Sequence, residues 1–120
     1  TAETRFLFGA DRIAQMKRGS FLINAARGGL VDDKALLAAL RDGTIAGAGL
    51  DVYLSESDPS YRDVTEQLVA LPNVIATPHA AASTQEGLAR TNMVAARSVV
   101  AVLDGKDPAP ETIVADGRTR

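Results

Sequence analysis

Short apolar runs alternate with helical patterns along this chain. Three runs are short and almost wholly apolar, as expected of strands buried on both faces: 20–24, 45–52 and 73–77. Four stretches have the spacing of helices: 11–18, 33–42, 64–70 and 84–103. Since helices alternate with strands through short connections, this order predicts right-handed crossovers and a parallel sheet with helices on both faces.

Polar and small residues mark the predicted ends of the helices. Asp11 and Asp32 are placed as N-caps of the first two helices, and Gly19 and Gly43 as their ends. Gly105 is the expected end of the longest helix. The apolar side of the second helix is predicted to consist of Ala35, Leu36, Ala39 and Leu40. The longest helix has a broader apolar stripe, formed by Leu88, Ala89, Ala96, Val99, Val100 and Leu103.

The segments between and after these elements have less regular patterns. The second predicted strand contains Ala46, Gly47, Ala48 and Gly49, small residues that are expected to let a helix approach closely. Residues 53–63 are polar and irregular, and residues 106–120 are expected to form an extended or loose tail. Three strands are few for a layered α/β domain, and the first four residues contain no Met. We therefore expect a fragment whose sheet has an open edge.

Composition narrows the function classes. Hydrophobic residues make up 46% of the chain but aromatic ones only 4%, so Ala, Leu, Val and Ile must form most of the core. A net charge of -2 without a basic cluster argues against a nucleic-acid partner. The absence of Cys excludes thiol catalysis and disulfides and fits a reducing compartment. No apolar run approaches the ~20 residues that a membrane span requires.

Chemically active side chains follow the predicted strands. Arg27 comes just after the first strand, Asp51 ends the second, and His79, the only histidine, follows the third. Glu56 lies in the irregular loop after the second strand. The carboxyl ends of parallel strands share one edge of the sheet, where open α/β folds form their ligand crevices.

Each of these residues also has a simpler interpretation. Arg27 and Glu56 are of types that are usually solvated in polar turns, Asp51 fits a strand-end cap, and His79 fits a cap of the following helix. Their convergence from separate strand ends nevertheless favours a functional site over four unrelated structural roles.

Three motifs then resemble one family. Leu-Ile-Asn-Ala-Ala-Arg-Gly-Gly-Leu-Val-Asp at 22–32, Gly-Leu-Asp-Val-Tyr at 49–53 and Asn-Val-Ile-Ala-Thr-Pro-His at 73–79 resemble the D-isomer-specific 2-hydroxyacid dehydrogenases. The opening five residues are also similar to a stretch of that family, and the resemblance extends to about Leu103. It implies a partial doubly wound, Rossmann-like sheet, with residues 1–105 as the rear part of a dinucleotide-binding domain. Residues 106–120 would be a tail returning toward a substrate domain.

The resemblance also implies roles for individual residues. Arg27 matches the arginine that holds the substrate carboxylate and polarises the adjacent carbonyl, a task suited to its planar fork. His79 matches the general acid–base, and Glu56 the carboxylate that pairs with it. The positions that match the cofactor pocket are Ala25, Ala26, Arg27, Asp51, His79, Ala80, Ala81 and Ala82. No metal site is expected.

The motif around Glu56 departs from the family pattern. A proline commonly follows the glutamate in the family, whereas Ser57-Asp58-Pro59 delays it here by two residues. Glu56 keeps a family-like distance along the chain from the neighbouring motifs, so it remains the assigned partner of the histidine. Asp58 and Glu66 are the alternatives if the loop has been rebuilt.

The phosphate-binding Gly-x-Gly-x-x-Gly turn is absent from the chain. Gly47 and Gly49 lie inside a predicted strand and do not serve, and in the family this turn lies upstream of the matched region. The sequence therefore leaves open the choice between NAD and NADP, and also which 2-hydroxy acid is the substrate.

The leading hypothesis is an oxidoreductase that interconverts a 2-keto acid and a D-2-hydroxy acid with NAD or NADP. The intact protein is expected to be a cytoplasmic homodimer that acts on a small acid, without membrane or nucleic-acid partners. An alternative is an NAD-sensing binding protein like the C-terminal-binding-protein corepressors, which resemble this family and retain the arginine, glutamate and histidine. A third is that the isolated 120 residues neither bind NADH tightly nor catalyse.

Overall fold

The computed structural model describes residues 2–113, which form two compact units that meet between Ala81 and Ala82 in the chain. The first unit contains three helices: α1 (Ala10–Ala14), α2 (Asp33–Arg41) and α3 (Arg62–Val69). It also contains three strands: β1 (Phe21–Asn24), β2 (Gly47–Leu50) and β3 (Val74–Ala76). The second unit contains α4 (Gln85–Leu103). Short 3₁₀ turns occupy Ala2–Thr4, Leu54–Glu56, Pro59–Tyr61 and Pro110–Thr112.

The strands form one parallel sheet in the order β1-β2-β3. Leu22 pairs with Ala48, and Ala48 pairs with Val74, so the three strands are in register across the sheet. Each strand is shorter than its apolar run, although backbone hydrogen bonds continue one residue beyond the strands, from the Asp51 N–H to Asn24 and from the Thr77 N–H to Leu50. The predicted parallel sheet is confirmed, and the carboxyl ends of its strands share one edge.

The core of the first unit lies on one face of the sheet. Strand residues Leu22, Ala48 and Leu50 pack there against α1, α2 and α3. Buried side chains of this cluster come from all three helices and their connections: Ile13, Val31, Leu36, Leu37, Ala39, Leu40, Ile45 and Leu68. On the opposite face Phe21 and Ile23 are 67% and 72% exposed. Within residues 2–81, the expected helix layer is therefore found on one face of the sheet.

The strand glycines make room for a neighbouring strand rather than for a helix. A methyl group on Gly49 would lie 3.0 Å from Cδ1 of Ile23, and one on Gly47 would lie 2.6 Å from the Asn73 carbonyl oxygen and 3.1 Å from the Phe21 ring. Register explains this contact, because Phe21 is opposite Gly47 and Ile23 opposite Gly49. Within the first unit the expected close approach of a helix is therefore not found at Gly47 and Gly49, whereas Ala48 packs in the core with the helices.

Helix ends agree with the sequence in one case and differ in another. The carboxylate of Asp32 accepts the N–H groups of Lys34 and Ala35 at 3.0 and 3.4 Å, which confirms it as the N-cap of α2. By contrast, α1 begins one residue earlier than expected, with Gly9 at the N-cap position and no side-chain cap. Asp11 instead lies in the first turn, where its charge complements the helix dipole.

The second unit consists of α4 and the segment after it. The Thr84 side chain accepts the Gly87 N–H at 3.0 Å and so caps the helix. None of the α4 residues is buried, and Leu103 at its end is 80% exposed. Within the predicted loose segment, Pro110–Thr112 form a 3₁₀ turn, and residues 114–120 lie outside the described residues. None of the helices described is long and apolar enough to cross a membrane.

Gly28 brings the turn after β1 into contact with the loop after β2. A methyl group at this position would lie 2.2 Å from the carbonyl oxygen of Tyr53 and 2.8 Å from the backbone nitrogen of Leu54. No side chain fits between two backbones at such distances. The residue after Arg27 therefore rests directly on the loop that leads to Glu56.

We expect Gly28→Ala to lower the free energy of unfolding by about 1–3 kcal/mol, because the methyl group forces one of the two backbones to move. Gly49→Ala is the matched control, since its methyl would meet only the flexible end of an exposed Ile23 side chain. Urea unfolding of both variants measures the difference. Equal losses of stability in the two variants would contradict the tight contact.

Candidate active site

The turn that carries Arg27 is shaped by the side chain of Asn24. This buried residue ends β1, and its Oδ1 accepts the Ala26 N–H while its Nδ2 donates to the Arg27 carbonyl, both at 3.2 Å. A side-chain amide that closes a turn in this way replaces backbone hydrogen bonds that the strand can no longer make. The Arg27 side chain is exposed, and its Nη1 donates to the Ala26 carbonyl at 2.7 Å.

Arg27 lines a cleft of about 350 Å³. The cleft is bounded by the turn itself and by the segments that face it: Thr4, Arg5, Gly28, Gly29, Leu30, Leu54 and Ser57. Two arginines therefore line one cleft. Such walls favour a small anion, because guanidinium groups bind carboxylates through two parallel hydrogen bonds.

Glu56 and His79 form a direct pair. Oε2 of Glu56 lies 2.6 Å from Nδ1 of His79, and Oε1 of Glu56 accepts the Tyr53 N–H, also at 2.6 Å. The alternatives do not make this contact: Asp58 accepts hydrogen bonds from Ser60, and Glu66 is exposed on α3. In the residues described, the displaced proline leaves the predicted Glu56–His79 pairing intact.

The environment of Glu56 keeps its carboxylate ionised. Partial burial by itself would raise the pKa of Glu56. The N–H of Tyr53 and the ring of His79 act in the opposite direction, and together they hold the pKa below the ordinary 4.5. An anion therefore stays beside the imidazole at neutral pH.

His79 itself lies in an unusual backbone conformation. Its φ is 56°, in the left-handed region that residues other than glycine rarely adopt, although histidine is among the more tolerant. Such a conformation costs of the order of 1–3 kcal/mol and persists only where neighbouring contacts determine it. Pro78, directly before the histidine, has no N–H to donate. The hydrogen bonds that hold this segment are made by Thr77 and by the residues after the histidine.

Asp51 supplies those contacts. Its carboxylate is buried at the end of β2 and accepts three donors: the hydroxyl of Thr77, the Ala80 N–H at 2.8 Å and the Ala81 N–H at 2.9 Å. These hydrogen bonds lower the pKa of Asp51, the largest effect being that of Thr77, despite the opposing effect of burial. Asp51 thus holds the loop on both sides of His79.

A second cavity, of about 390 Å³, opens at the same edge of the sheet. Four predicted cofactor residues line it: Ala25, Asp51, Ala80 and Ala81. Its other walls are mainly apolar or small residues of the strand ends: Ile23, Asn24, Gly49, Leu50, Ile75 and Thr77. Of the remaining predicted cofactor positions, Ala26, Arg27 and His79 are not part of this wall, and Ala82 belongs to the second unit.

Sequence reasoning missed several residues that shape the site. Asn24 and Tyr53 stand inside the quoted motifs, and an asparagine at a strand end is a signal for a side-chain turn. Asp33 gave no such signal: its buried carboxylate accepts the Leu54 N–H at 3.1 Å and ties α2 to the loop of Glu56. Burial raises the pKa of Asp33, with the Leu54 N–H opposing it.

Comparison with known proteins identifies the class. Residues 1–81 match the family model described as D-isomer specific 2-hydroxyacid dehydrogenase, NAD binding domain. The chain therefore belongs to this family, which confirms the predicted resemblance and NAD as a cofactor of the family's domain.

Relatives of known activity and structure support this membership. The chain is 45% identical over 109 residues to glyoxylate/hydroxypyruvate reductase B of Erwinia tasmaniensis, covering 88% of this chain and 32% of that protein. It is 47% identical over 88 residues to glycerate dehydrogenase of Methylorubrum extorquens, covering 73% and 27% respectively. The crystal structure of D-lactate dehydrogenase with NAD⁺ from Lactobacillus jensenii matches with a TM-score of 0.81 and 35% identity, over 97% of this chain and 37% of that one.

The structural match confirms the predicted partial doubly wound fold. The chain spans about a third of the length of these relatives.

We expect stability to depend on pH through Asp51. Because its folded pKa is lowered, the carboxylate contributes stability that is fully present above the ordinary 3.8 and is lost as pH falls through the folded value. In Asp51→Asn the amide cannot replace an acceptor of three donors. The difference in urea midpoint between the parent and Asp51→Asn should therefore be large at about pH 6 and shrink toward about pH 3.

Thr77→Val serves as the companion variant, since it removes one of the three donors. The difference in urea midpoint between Thr77→Val and the parent should be smaller at about pH 6 and should also shrink as the pH falls toward about 3. A difference in urea midpoint between Asp51→Asn and the parent that stays constant across this pH range would contradict the stabilising role of the ionised Asp51 carboxylate.

Proposed function

We propose that this chain forms the nicotinamide-facing and acid–base part of a D-2-hydroxyacid dehydrogenase. The reaction would interconvert a small 2-keto acid and its D-2-hydroxy acid. The 2.6 Å contact between Glu56 Oε2 and His79 Nδ1 carries this proposal. It determines which nitrogen of the ring is left to exchange a proton with a substrate.

The roles of the two ring nitrogens follow from that contact. With the ionised Glu56 beside Nδ1, this nitrogen keeps its hydrogen and donates it to the carboxylate. Nε2 is then the atom that holds a proton in the imidazolium and loses it in the neutral ring. The histidine side chain is 43% exposed, so Nε2 is accessible to a bound ligand.

Arg27 would bind the substrate by its acid group. Its Nη1 hydrogen bond to the Ala26 carbonyl uses one of the five N–H donors of the guanidinium and restrains the side chain. The remaining donors suffice for a bidentate contact with a carboxylate and a further contact with the adjacent carbonyl oxygen. The anion-favouring cleft beside Arg27 supports this role.

The cavity at the strand ends suits a nicotinamide ring. Ala25, Ala80 and Ala81 contribute only methyl groups to its wall, and Gly49 contributes no side chain. The apolar side chains of Ile23 and Ile75 complete a surface that suits the face of an aromatic ring. Asp51 accepts three donors there, and a carboxylate has about four acceptor sites, so one stays open toward a ribose hydroxyl or an amide. Ala26, Arg27, His79 and Ala82 are proposed to flank the same cofactor.

The proposed reaction balances in both directions. A nicotinamide held in the cavity at the strand ends would supply the hydride for reduction and accept it in oxidation. In reduction Nε2 of His79 gives its proton to the carbonyl oxygen, while Arg27 stabilises the charge that develops on that oxygen. In oxidation His79 removes the hydroxyl proton.

The names of the relatives, among them glyoxylate/hydroxypyruvate reductase and glycerate dehydrogenase, point to two- and three-carbon acids. Use of NADP, homodimer formation and a cytoplasmic location stay predictions from the resemblance.

We expect Arg27→Lys to lower kcat/KM for glyoxylate, hydroxypyruvate or pyruvate at least ~100-fold, because an ammonium group lacks the planar fork. Arg12→Lys, on the exposed surface of α1, is the matched control and should have no effect.

His79→Asn should lower kcat about 10²–10⁴-fold, because the proposed acid–base group is removed. Asparagine is chosen because it tolerates the positive φ of this position.

These activities are measured by NADH oxidation in the longest form of the protein that its gene encodes. Full activity in both site variants would overturn the proposed function. A parent that binds NADH and short peptides but reduces no 2-keto acid would favour the corepressor-like alternative.

We also expect Glu56→Gln to lower kcat roughly tenfold or more, because a neutral amide no longer stabilises the imidazolium. Glu66→Gln and Asp58→Asn test the two alternative carboxylates and should leave kcat within about twofold of the parent. The same NADH assay compares all three variants. A larger effect of Glu66→Gln or Asp58→Asn than of Glu56→Gln would reassign the partner of the histidine.

A further inference from the structure

We propose that Tyr53 is a positioning residue for the Glu56–His79 pair, with its hydroxyl tying the glutamate loop to the ends of β2 and β3. The kinetic consequence rests on the proposed function, whereas the structural consequence does not. Neither the family motif nor the catalytic roles assign a task to this side chain.

Tyr53 makes contacts at both of its ends. Its hydroxyl lies 2.9 Å from the carbonyl oxygen of Leu50 and 3.0 Å from that of Thr77. Its backbone N–H donates to Oε1 of Glu56 at 2.6 Å, and its carbonyl accepts the Glu56 N–H at 3.3 Å. One residue thus contacts the last residue of β2, the residue after β3 and the glutamate.

These contacts close a ring of interactions through the histidine. From the Tyr53 hydroxyl the ring passes to Thr77, along the backbone to His79, through Nδ1 to Glu56, and back to the Tyr53 N–H. Closed rings of hydrogen bonds fix the relative positions of their members better than open chains do, because moving one member strains several bonds together.

The Tyr53 hydroxyl contacts the chain close to the left-handed backbone of His79. Thr77 is two residues before His79, whose positive φ requires contacts on both sides. Asp51 holds the side chain of Thr77 and the two N–H groups after the histidine, and Tyr53 shares its one hydroxyl hydrogen between the carbonyls of Leu50 and Thr77. The Thr77 N–H donates to the Leu50 carbonyl at 2.9 Å, so the ends of β2 and β3 are already hydrogen-bonded to each other. The Tyr53 hydroxyl contacts the carbonyls of the same two residues.

Burial keeps this hydroxyl suitable as a donor. The ring of Tyr53 packs against the hydrophobic core of the first unit. Its pKa is raised, chiefly by burial, so the hydroxyl keeps its hydrogen throughout the neutral range.

Tyr53 also contacts the Arg27 turn. Its carbonyl oxygen is the atom that a methyl group on Gly28 would meet at 2.2 Å. The backbone of Tyr53 therefore lies between the turn of the arginine and the pair of the histidine. A shift of this residue would move both parts of the proposed site.

Tyr53→Phe tests the proposal with one atom changed. Phenylalanine keeps the packed ring and the N–H that Glu56 accepts, and removes only the hydroxyl. Tyr61→Phe is the matched control, because Tyr61 is the only other tyrosine and its ring lies 4.9 Å from the Lys34 ammonium, away from the ring of contacts.

We expect Tyr53→Phe to lower kcat about fivefold to twentyfold, as the loss of one hydrogen bond implies, with KM for NADH unchanged within about twofold. The pH at which kcat is half-maximal should move toward its value in Glu56→Gln. Tyr61→Phe should leave both quantities unchanged. A Tyr53→Phe variant whose kcat and pH profile equal those of the parent would overturn the proposal.

A double-mutant cycle shows whether Tyr53 acts through Glu56. If it does, removing the hydroxyl in the Glu56→Gln background should change kcat by less than about twofold, since the pair is already disrupted. Additive effects would mean that Tyr53 supports the fold generally and would refute the positioning role. Urea unfolding of each variant separates these kinetic effects from loss of folded protein.

A second readout is independent of any enzymatic activity. His79 is the only histidine, so long-range ¹H–¹⁵N NMR spectra of the 120-residue chain report without ambiguity which ring nitrogen is protonated. The neutral ring should carry its hydrogen on Nδ1 in the parent and in Tyr61→Phe, and this preference should weaken in Tyr53→Phe. No change of tautomer preference in Tyr53→Phe would overturn the proposal. A failed dehydrogenase assay with a changed tautomer preference would refute the proposed function alone.

Discussion

The site depends on the carboxylate of Asp51. Buried at the end of the central strand, it accepts the hydroxyl of Thr77 and the N–H groups of Ala80 and Ala81, and so fixes the chain on both sides of His79. Without those bonds the left-handed backbone of the histidine would relax, and its ring would leave Glu56. The chemistry proposed for this protein thus begins with a buried negative charge that need not itself exchange a proton.

Around this anchor, three loops from neighbouring strand ends hold one another in place. Gly28 lets the Arg27 turn rest on the backbone of Tyr53, and Asp33 binds the next N–H along, that of Leu54. The carboxyl edge of a sheet only brings loops near one another, whereas these contacts fix the positions of the loops after β1, β2 and β3 relative to each other. The proposed substrate-binding and proton-transferring groups are thereby carried on loops that are held against one another, as the positioning of reacting groups requires.

Much of this could be predicted from the sequence, and the limits have physical causes. Apolar runs and strand-end polar residues were sufficient to predict the parallel sheet and the positions of Arg27, Asp51 and His79 after its strands, because hydrophobic periodicity can be read locally and short connections restrict the topology. The task of Asp51 was not predicted, since its partners Ala80 and Ala81 contribute only backbone atoms, which no residue type reveals. Asp33 was missed because its partner is 21 positions away.

The loop after β3 has a consequence for how such a site diversifies. Asp51 grips positions 80 and 81 through main-chain N–H groups, so the side chains there are free to change without releasing the histidine. Proline is the one residue type that cannot make these hydrogen bonds, because it has no backbone N–H. The side chains of this part of the cavity wall can therefore be changed one at a time while the geometry of the Glu56–His79 pair is kept.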